Sequence, residues 1–345
     1  MNESQRGRVA TLVAPGQIEM RDEPVPQPKP GEIVVRVRAA LTDGTDLKAY
    51  RRGHPKMPMP TRFGHEFSGD VAAVGEGVSG FRVGQAVMCV HTAPCGECFW
   101  CAAGQEELCE RLLPRMLLGA YADFITVPAH VVAQNCFKKP EDVSYGESAF
   151  LEPLACVVHS LAFLGASAGA TVAIVGNGGF GILHGLLLEH EGARALLIGR
   201  NPERAELARS LGLTTIASDE SYGKNAVLAA TGGRGADAAI DCTGDPVVWE
   251  AAPELVRRGG TVSFFGGLPE SARVSFSAER VHYDEIRLIS PFHFTPADVR
   301  RAYELIVAHA LPLSSLLSDS YRLDDVALAF ARLDRGEGMK ALIEP

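Results

Sequence analysis

Four cysteines fall within fifteen residues: Cys95-Gly-Glu-Cys98-Phe-Trp-Cys101 and, after seven intervening residues, Cys109. Thiolates at such turn-compatible spacings can close a tetrahedral shell around one zinc ion, leaving no open position for substrate. A site of that kind supports a loop and performs no chemistry. Two disulfides or free buried thiols are the competing readings. A zinc finger is disfavoured because no second ligand pair follows at finger spacing.

A second pattern is Gly176-Asn-Gly178-Gly179-Phe-Gly181, directly after the apolar run Thr171–Val175. Glycines between a strand and a helix permit a tight turn and let a pyrophosphate approach the helix N-terminus. The next strand ends Ile198-Gly199-Arg200-Asn-Pro, with no Asp or Glu to accept the adenosine ribose hydroxyls. Arg200 can instead pair with a 2′-phosphate through two N–H groups. The expectation is NADP, with NAD possible if Arg200 is merely solvated. Thr243 and Gly266, beyond two later strands, join Gly176, Gly178, Gly179, Gly181, Gly199 and Arg200 as candidate cofactor-binding residues.

Two kinds of architecture must position these groups. The first 150 residues read as mostly β. Ile33, Val35 and Val37 alternate with Val34, Arg36 and Arg38, the period-2 signature of a half-exposed strand. Prolines 24, 26, 28 and 30 make an extended connector, and Gly75, Gly77, Gly80 and Gly84 punctuate short strands, as in a small barrel. Residues 118–133 read as a further strand. From about residue 155 strands alternate with helices. Strands at 171–175, 194–198, 236–241 and 260–265 are separated by helices at 181–191, 202–211, 222–231 and 246–257. That alternation implies a parallel, doubly wound sheet. Two helices follow residue 295, the second with an apolar stripe of Val326, Phe330 and Leu333. A closing strand at 340–343 returns to the first domain.

The chain has 345 residues, too many for one ordinary core, and a net charge of −9. The acidic balance argues against unaided nucleic-acid or anionic-membrane binding. The N-terminus lacks the apolar stretch of a signal peptide. Residues 153–190 are poor in charge but interrupted by polar residues and glycines, so no membrane span is expected. Eight cysteines then suit a reducing, cytoplasmic setting, four on zinc and Cys89, Cys136, Cys156 and Cys242 as buried thiols.

Gly64-His65-Glu66, Glu152-Pro153-Leu154-Ala155, the cysteine lobe and the glycine fingerprint occur in the order found in the zinc-dependent medium-chain alcohol dehydrogenases. The chain resembles their polyol, sugar and threonine dehydrogenase branch over nearly its whole length. The resemblance implies a GroES-like β-barrel catalytic domain (1–155 and 293–345, with the zinc lobe at about 89–112) and a Rossmann domain (156–292). It also implies a catalytic zinc on a Cys, the His of Gly-His-Glu and the Glu of Glu-Pro, with water or the following Glu as fourth ligand. Carried over, these are His65, Glu152 and Glu66. The usual Cys-Gly-Thr-Asp run appears here as Asp43-Gly44-Thr45-Asp46. Asp43 keeps the single negative charge, but its harder oxygen loosens affinity and selectivity for zinc. The alternative is an emptied site.

By the same resemblance Thr45 relays the proton of the reacting oxygen, and Asp46 orients His65. As a bland alternative, Thr45 is a helix cap. His54, His91 and His293 are read as structural or pocket-lining. The expected function is reversible NADP-dependent oxidation of a secondary alcohol, such as a polyol or sugar derivative, to a ketone. The small-molecule substrate is the only partner expected beyond a homodimer or homotetramer. The alternatives are a metal-free reductase of activated double bonds and a non-catalytic cofactor-binding protein.

Overall fold

The alternating run at Ile33 does form a strand, Ile33–Leu41, but its burial departs from simple alternation. Val34 is as buried as its neighbours, and only Arg36 and Arg38 are exposed. The cause is its central position. Ile33–Leu41 pairs with Lys340–Glu344, Glu66–Val74 and Phe124–Val127, and two irregularities of register against Glu66–Val74 bend it. Such bulges increase local twist and curl a sheet towards closure. In the computed structural model, which describes residues 5–53 and 57–345, this strand is the axis of one of two compact units. Residues 1–4 and 54–56, and with them His54, lie outside the described residues.

The first unit comprises the chain to Ala155 with Phe294–Pro345. Its seven-stranded sheet runs Leu317–Arg322, Lys340–Glu344, Ile33–Leu41, Glu66–Val74, Ala86–Cys89 and Cys136–Lys138, with Phe124–Val127 also on the axial strand. A three-stranded sheet places Arg6–Ala14 between Gln17–Pro24 and Thr61–Arg62. Phe63, Phe67, Tyr121 and Phe330 are fully buried in the core, where Phe63 meets Tyr121 edge-on at 4.8 Å. Residues 118–133 are not one strand. Only Phe124–Val127 is extended, because Pro128 caps the helix Ala129–Gln134.

The second unit, Cys156–His293, holds a six-stranded all-parallel sheet. Its order is Thr214–Ala217, Arg194–Gly199, Thr171–Val175, Ala236–Asp241, Val256–Phe264 and Arg287–Ile289. This is the 3-2-1-4-5-6 order of a dinucleotide-binding fold. The two edge strands escape the sequence reading because they have only four and three residues, too few to show a period. The helix expected to Arg257 stops at Ala251, gives one 3₁₀ turn, and yields to a strand from Val256. None of the eight cysteines is in a disulfide, and Cys156 and Cys242, expected to be buried, are only half-buried.

Candidate active site and metal centres

The cysteine lobe is built by turns that aim backbone N–H groups at sulfur. Cys95 N donates to Cys109 Sγ at 3.3 Å, Cys98 N to Cys95 Sγ at 3.4 Å, and Arg111 N to Cys109 Sγ at 3.4 Å. Such donors stabilise thiolates. The Cys98 thiol is accordingly lowered to about 6 by backbone N–H groups at Cys101 and Glu110. Sγ of Cys101 lies 3.5 Å from that of Cys98 and 4.0 Å from that of Cys95. A disulfide needs about 2.05 Å. A zinc ion with bonds of about 2.3 Å sets tetrahedral edges of about 3.8 Å, between the two observed values. All four sulfurs lie within 4.8 Å of one another, so the donor set fits zinc and leaves no vacancy for substrate.

The second cluster gathers around the loop from Leu41 and the strand Glu66–Val74. Asp43 is the N-cap of the helix Gly44–Arg52, its Oδ1 accepting from Thr45 N at 2.6 Å. The cap is therefore Asp43, and Thr45 is the second helical residue, half-buried. Asp46, fully buried, accepts from Gly64 N at 3.3 Å and from the Tyr121 hydroxyl at 2.8 Å. Gly64 has no substitute here. Its φ is +86°, and a Cβ would lie 2.8 Å from the Tyr121 ring.

His65 stands between two carboxylates. Its Nδ1 is 3.6 Å from Asp46 Oδ1 and its Nε2 is 3.8 Å from Asp43 Oδ1. Donor atoms of His65, Glu66 and Glu152, all buried, lie within 4.8 Å of one another. Asp43 is not in that group. Burial alone would pull the His65 imidazole down, but Asp46, Glu152 and Asp43 outweigh it and hold it well above its usual value. Burial likewise opposes ionisation of Asp43, yet His65, Lys340 and the Thr45 N–H keep that carboxyl below its usual range. A field that favours a proton on His65 favours a divalent cation beside it for the same reason. The donors present thus fit a hard or borderline metal ion.

Two further residues define this cluster: Lys340, assigned no role from sequence, and His91, expected to be structural or pocket-lining. Lys340 Nζ donates to both oxygens of Glu66, at 2.7 and 2.5 Å, and to Thr42 O at 3.0 Å. Burial disfavours its charge, but Glu66, Asp43 and Glu152 raise it regardless. The signal was visible: a lone lysine in the apolar strand Lys340–Glu344, whose neighbours face the core, needs a buried anion. His91 lies in the same cluster. Its Nδ1 is 3.4 Å from Glu152 Oε1, and its ring meets that of His65 edge-on at 4.8 Å. Its only sequence cue is its place just before the cysteine lobe. His293 belongs to the second unit and carries a positive φ of 65°.

In the second unit the glycine turn is drawn tightly. Gly176 has φ +111°, and a Cβ on Gly181 would sit 1.8 Å from Gly176 O, while nothing lies within 4 Å of a Cβ on Gly178. Gly178 caps the helix Gly179–His190 and leaves its N-terminus open to an anion. Thr243 is brought against Gly176 and donates through N and Oγ to Asp241 Oδ1 at 2.9 and 2.6 Å. Gly266 packs on the same carboxylate. At the end of the second strand a Cβ on Gly199 would lie 2.1 Å from Asn177 Cγ, and Asn177 is fixed by donating to Asn201 O at 2.7 Å. Arg200 is exposed.

Comparison with known proteins gives the same picture. The alcohol dehydrogenase GroES-like domain matches residues 29–141, and the zinc-binding dehydrogenase domain matches residues 179–308. The chain belongs to the zinc-dependent medium-chain alcohol dehydrogenases. It is an oxidoreductase of the kind that acts on alcohol groups. Within the family it is 27% identical to a sorbitol dehydrogenase of Halalkalibacterium halodurans, over 98% of both chains. It is 26% identical to the L-threonine 3-dehydrogenase of Escherichia coli K12, over 97% of this chain and 98% of that one. Among solved structures, a zinc-binding dehydrogenase from Sinorhizobium meliloti bound to NADP superposes with a TM-score of 0.89 at 29% identity, covering 99% and 100% of the two chains. An alcohol dehydrogenase from Thermus sp. ATN1 superposes with a TM-score of 0.89 at 27% identity, covering 98% and 99%. These likenesses bear out the family and the fold, a GroES-like domain with a Rossmann domain. Among the described residues no helix is long and apolar enough to cross a membrane.

Proposed function

We propose that this chain is an NADP-dependent zinc alcohol dehydrogenase that moves hydride reversibly between a secondary alcohol, such as a polyol or sugar derivative, and its ketone. The observation that carries the reading is the buried group of His65 and Glu152 donors with Asp46 behind His65, beside a four-cysteine lobe of zinc dimensions. His65 and Glu152 hold the metal, and Asp43 contributes its charge in the place of the family's cysteine. A zinc ion there supplies Lewis acidity that lowers the pKa of the alcohol.

The chain's own residues do the rest. Tyr121 donates to Asp46, and Asp46 faces His65 Nδ1, which leaves Nε2 directed at the metal position. The Thr45 hydroxyl, two residues from Asp43, takes the alcohol proton and passes it towards solvent. Once that proton has left, the carbinol carbon releases hydride to the nicotinamide and becomes a ketone. On the cofactor, Gly178 admits the pyrophosphate, and Arg200 meets the 2′-phosphate where no acidic residue repels it. Gly179, Gly199, Thr243 and Gly266 shape the same site. A cytoplasmic homodimer or homotetramer is the setting we propose.

The test is metal content measured alongside NADP-dependent oxidation of a polyol panel, with Asp43→Cys as comparator. Two metals per chain and turnover of a secondary alcohol are expected. One metal per chain with no alcohol turnover refutes the assignment.

A further inference from the structure

The proposed metal centre has a donor too few. Of the three mutually close groups, Glu66 is committed to an ion pair: both oxygens accept from the Lys340 ammonium, whose third hydrogen goes to Thr42 O. An ammonium has three donors, and all three are used. Asp43, which stands where relatives carry cysteine, has its Oδ1 on the helix N-cap at 2.6 Å from Thr45 N. That oxygen is 3.8 Å from His65 Nε2. Ligands on a tetrahedral zinc with bonds of about 2.05 Å stand about 3.3 Å apart.

His91 approaches Glu152, the remaining member of the three. Its Nδ1 lies 3.4 Å from Glu152 Oε1, at the tetrahedral edge and beyond the usual 2.7–3.2 Å range of an N–H···O hydrogen bond. Its ring faces the edge of His65 with centroids 4.8 Å apart. The backbone around it is held on both sides. His91 O accepts from Leu117 N at 2.8 Å, and the buried Asn135 donates through Nδ2 to Thr92 O at 2.8 Å. His91 stands outside the group whose atoms are all within 4.8 Å, so closing the shell requires its ring to move towards His65 Nε2.

We infer that His91 is a direct ligand of the catalytic metal, giving a His65–His91–Glu152 set in place of the family's cysteine-containing one. Two neutral imidazoles and one carboxylate are an established donor set for catalytic zinc, with the fourth position left for substrate oxygen. Lys340 is what keeps Glu66 out of that shell, and Asp43 remains a charged neighbour that caps the helix. The inference rests on the metal-dependent reading of the site.

The experiment counts metals on the full-length protein and then exchanges the second site for cobalt(II). Wild type is expected to carry two metals per chain. His91→Gln and His91→Ala should retain the lobe zinc and the wild-type melting profile, yet bind the second metal about a hundredfold or more weakly, beyond the usual effect of an outer-shell partner. Their cobalt absorption should be lost or shifted. Asp43→Asn should keep the second metal within about tenfold of wild type. The inference is overturned if both His91 variants hold the second metal with the wild-type cobalt spectrum while Asp43→Asn loses it. A wild-type chain with a single metal would instead remove the reading on which it stands, and His91 with it.

Discussion

Replacing Lys340 by methionine keeps the aliphatic stem but removes the ammonium that touches Glu66 Oε1, Glu66 Oε2 and Thr42 O. Lys340 is 5% exposed and Glu66 is fully buried, so water does not replace the lost donors. Breaking a buried pair from one side costs about 3–5 kcal/mol, because the remaining charge has no partner. In a unit of about two hundred residues each kcal/mol moves the melting temperature by about 2–4 °C, so Lys340→Met should lower it by roughly 6–20 °C. Glu66→Gln should also destabilise, by stranding the ammonium. The double variant Lys340→Met/Glu66→Gln should recover much of the loss, with a coupling of about 2 kcal/mol or more. Thermal melts followed by circular dichroism, with zinc saturating throughout, supply the four corners of the cycle. Strictly additive effects, or a Lys340→Met loss under about 1 kcal/mol, would refute a buried pair and with it the account of why Glu66 is withheld from the metal.

Arg200→Asp removes the only cation immediately after the second parallel strand and adds a carboxylate. Losing charge-assisted hydrogen bonds of about 1.5–3 kcal/mol should raise the KM for NADPH by about ten- to hundredfold and leave NADH nearly unchanged, as steady-state kinetics will show. Cys98→Ser should release one zinc per chain and destabilise by several kcal/mol, read by metal analysis and melting, while the second metal stays bound. His184 is buried with Nδ1 2.7 Å from Phe180 O, which must accept, so its Nε2 accepts from the Ser160 hydroxyl at 3.0 Å. Burial first, against the Phe180 carbonyl, lowers this imidazole to about 4 from 6.5. The unfolded chain therefore takes up the proton first, and stability present above pH 6.5 is lost as pH falls towards 4, on the order of 3 kcal/mol. His184→Asn should flatten that part of the stability–pH curve, and an unchanged slope would sink the assignment.

Much of this was legible in the residues because the signals were local. The cysteine spacing fixes a turn-built lobe, and the Gly176–Gly181 run sits on a strand–helix junction where the positive φ of Gly176 and the crowding at Gly181 demand glycine. The apolar core strands of the parallel sheet were visible for the same reason. Its edge strands were not, since a three- or four-residue strand takes its structure from its neighbour rather than from its own composition. Lys340 was missed because its partner Glu66 is 274 residues away, and His91 was read no further than structural or pocket-lining because Glu152 and His65 meet it only in the fold. Gly199 shows the same limit. Its substitution by Asp looks like the obvious route to NAD preference, but Asn177 already fills the space where that side chain would begin.

Asp43 is the residue that ties these threads together. A cysteine at this position offers a soft ligand but caps a helix poorly, whereas an aspartate caps well, worth about 1 kcal/mol, and binds zinc less selectively. In this chain the cap is made, with Thr45 N at 2.6 Å, and the nearest metal-facing donor, His65 Nε2, is left at 3.8 Å. Exchanging thiolate for carboxylate therefore gains local helix order and leaves one ligand position to be filled. Glu66 could fill it only by leaving Lys340 uncompensated in the core, which costs more than the cap contributes. His91 can fill it by a ring movement on a backbone already fixed by Leu117 and Asn135. Asp43 at the helix cap and the imidazole at 91 are thus two parts of one arrangement, with the lysine at 340 deciding which of the remaining donors takes part.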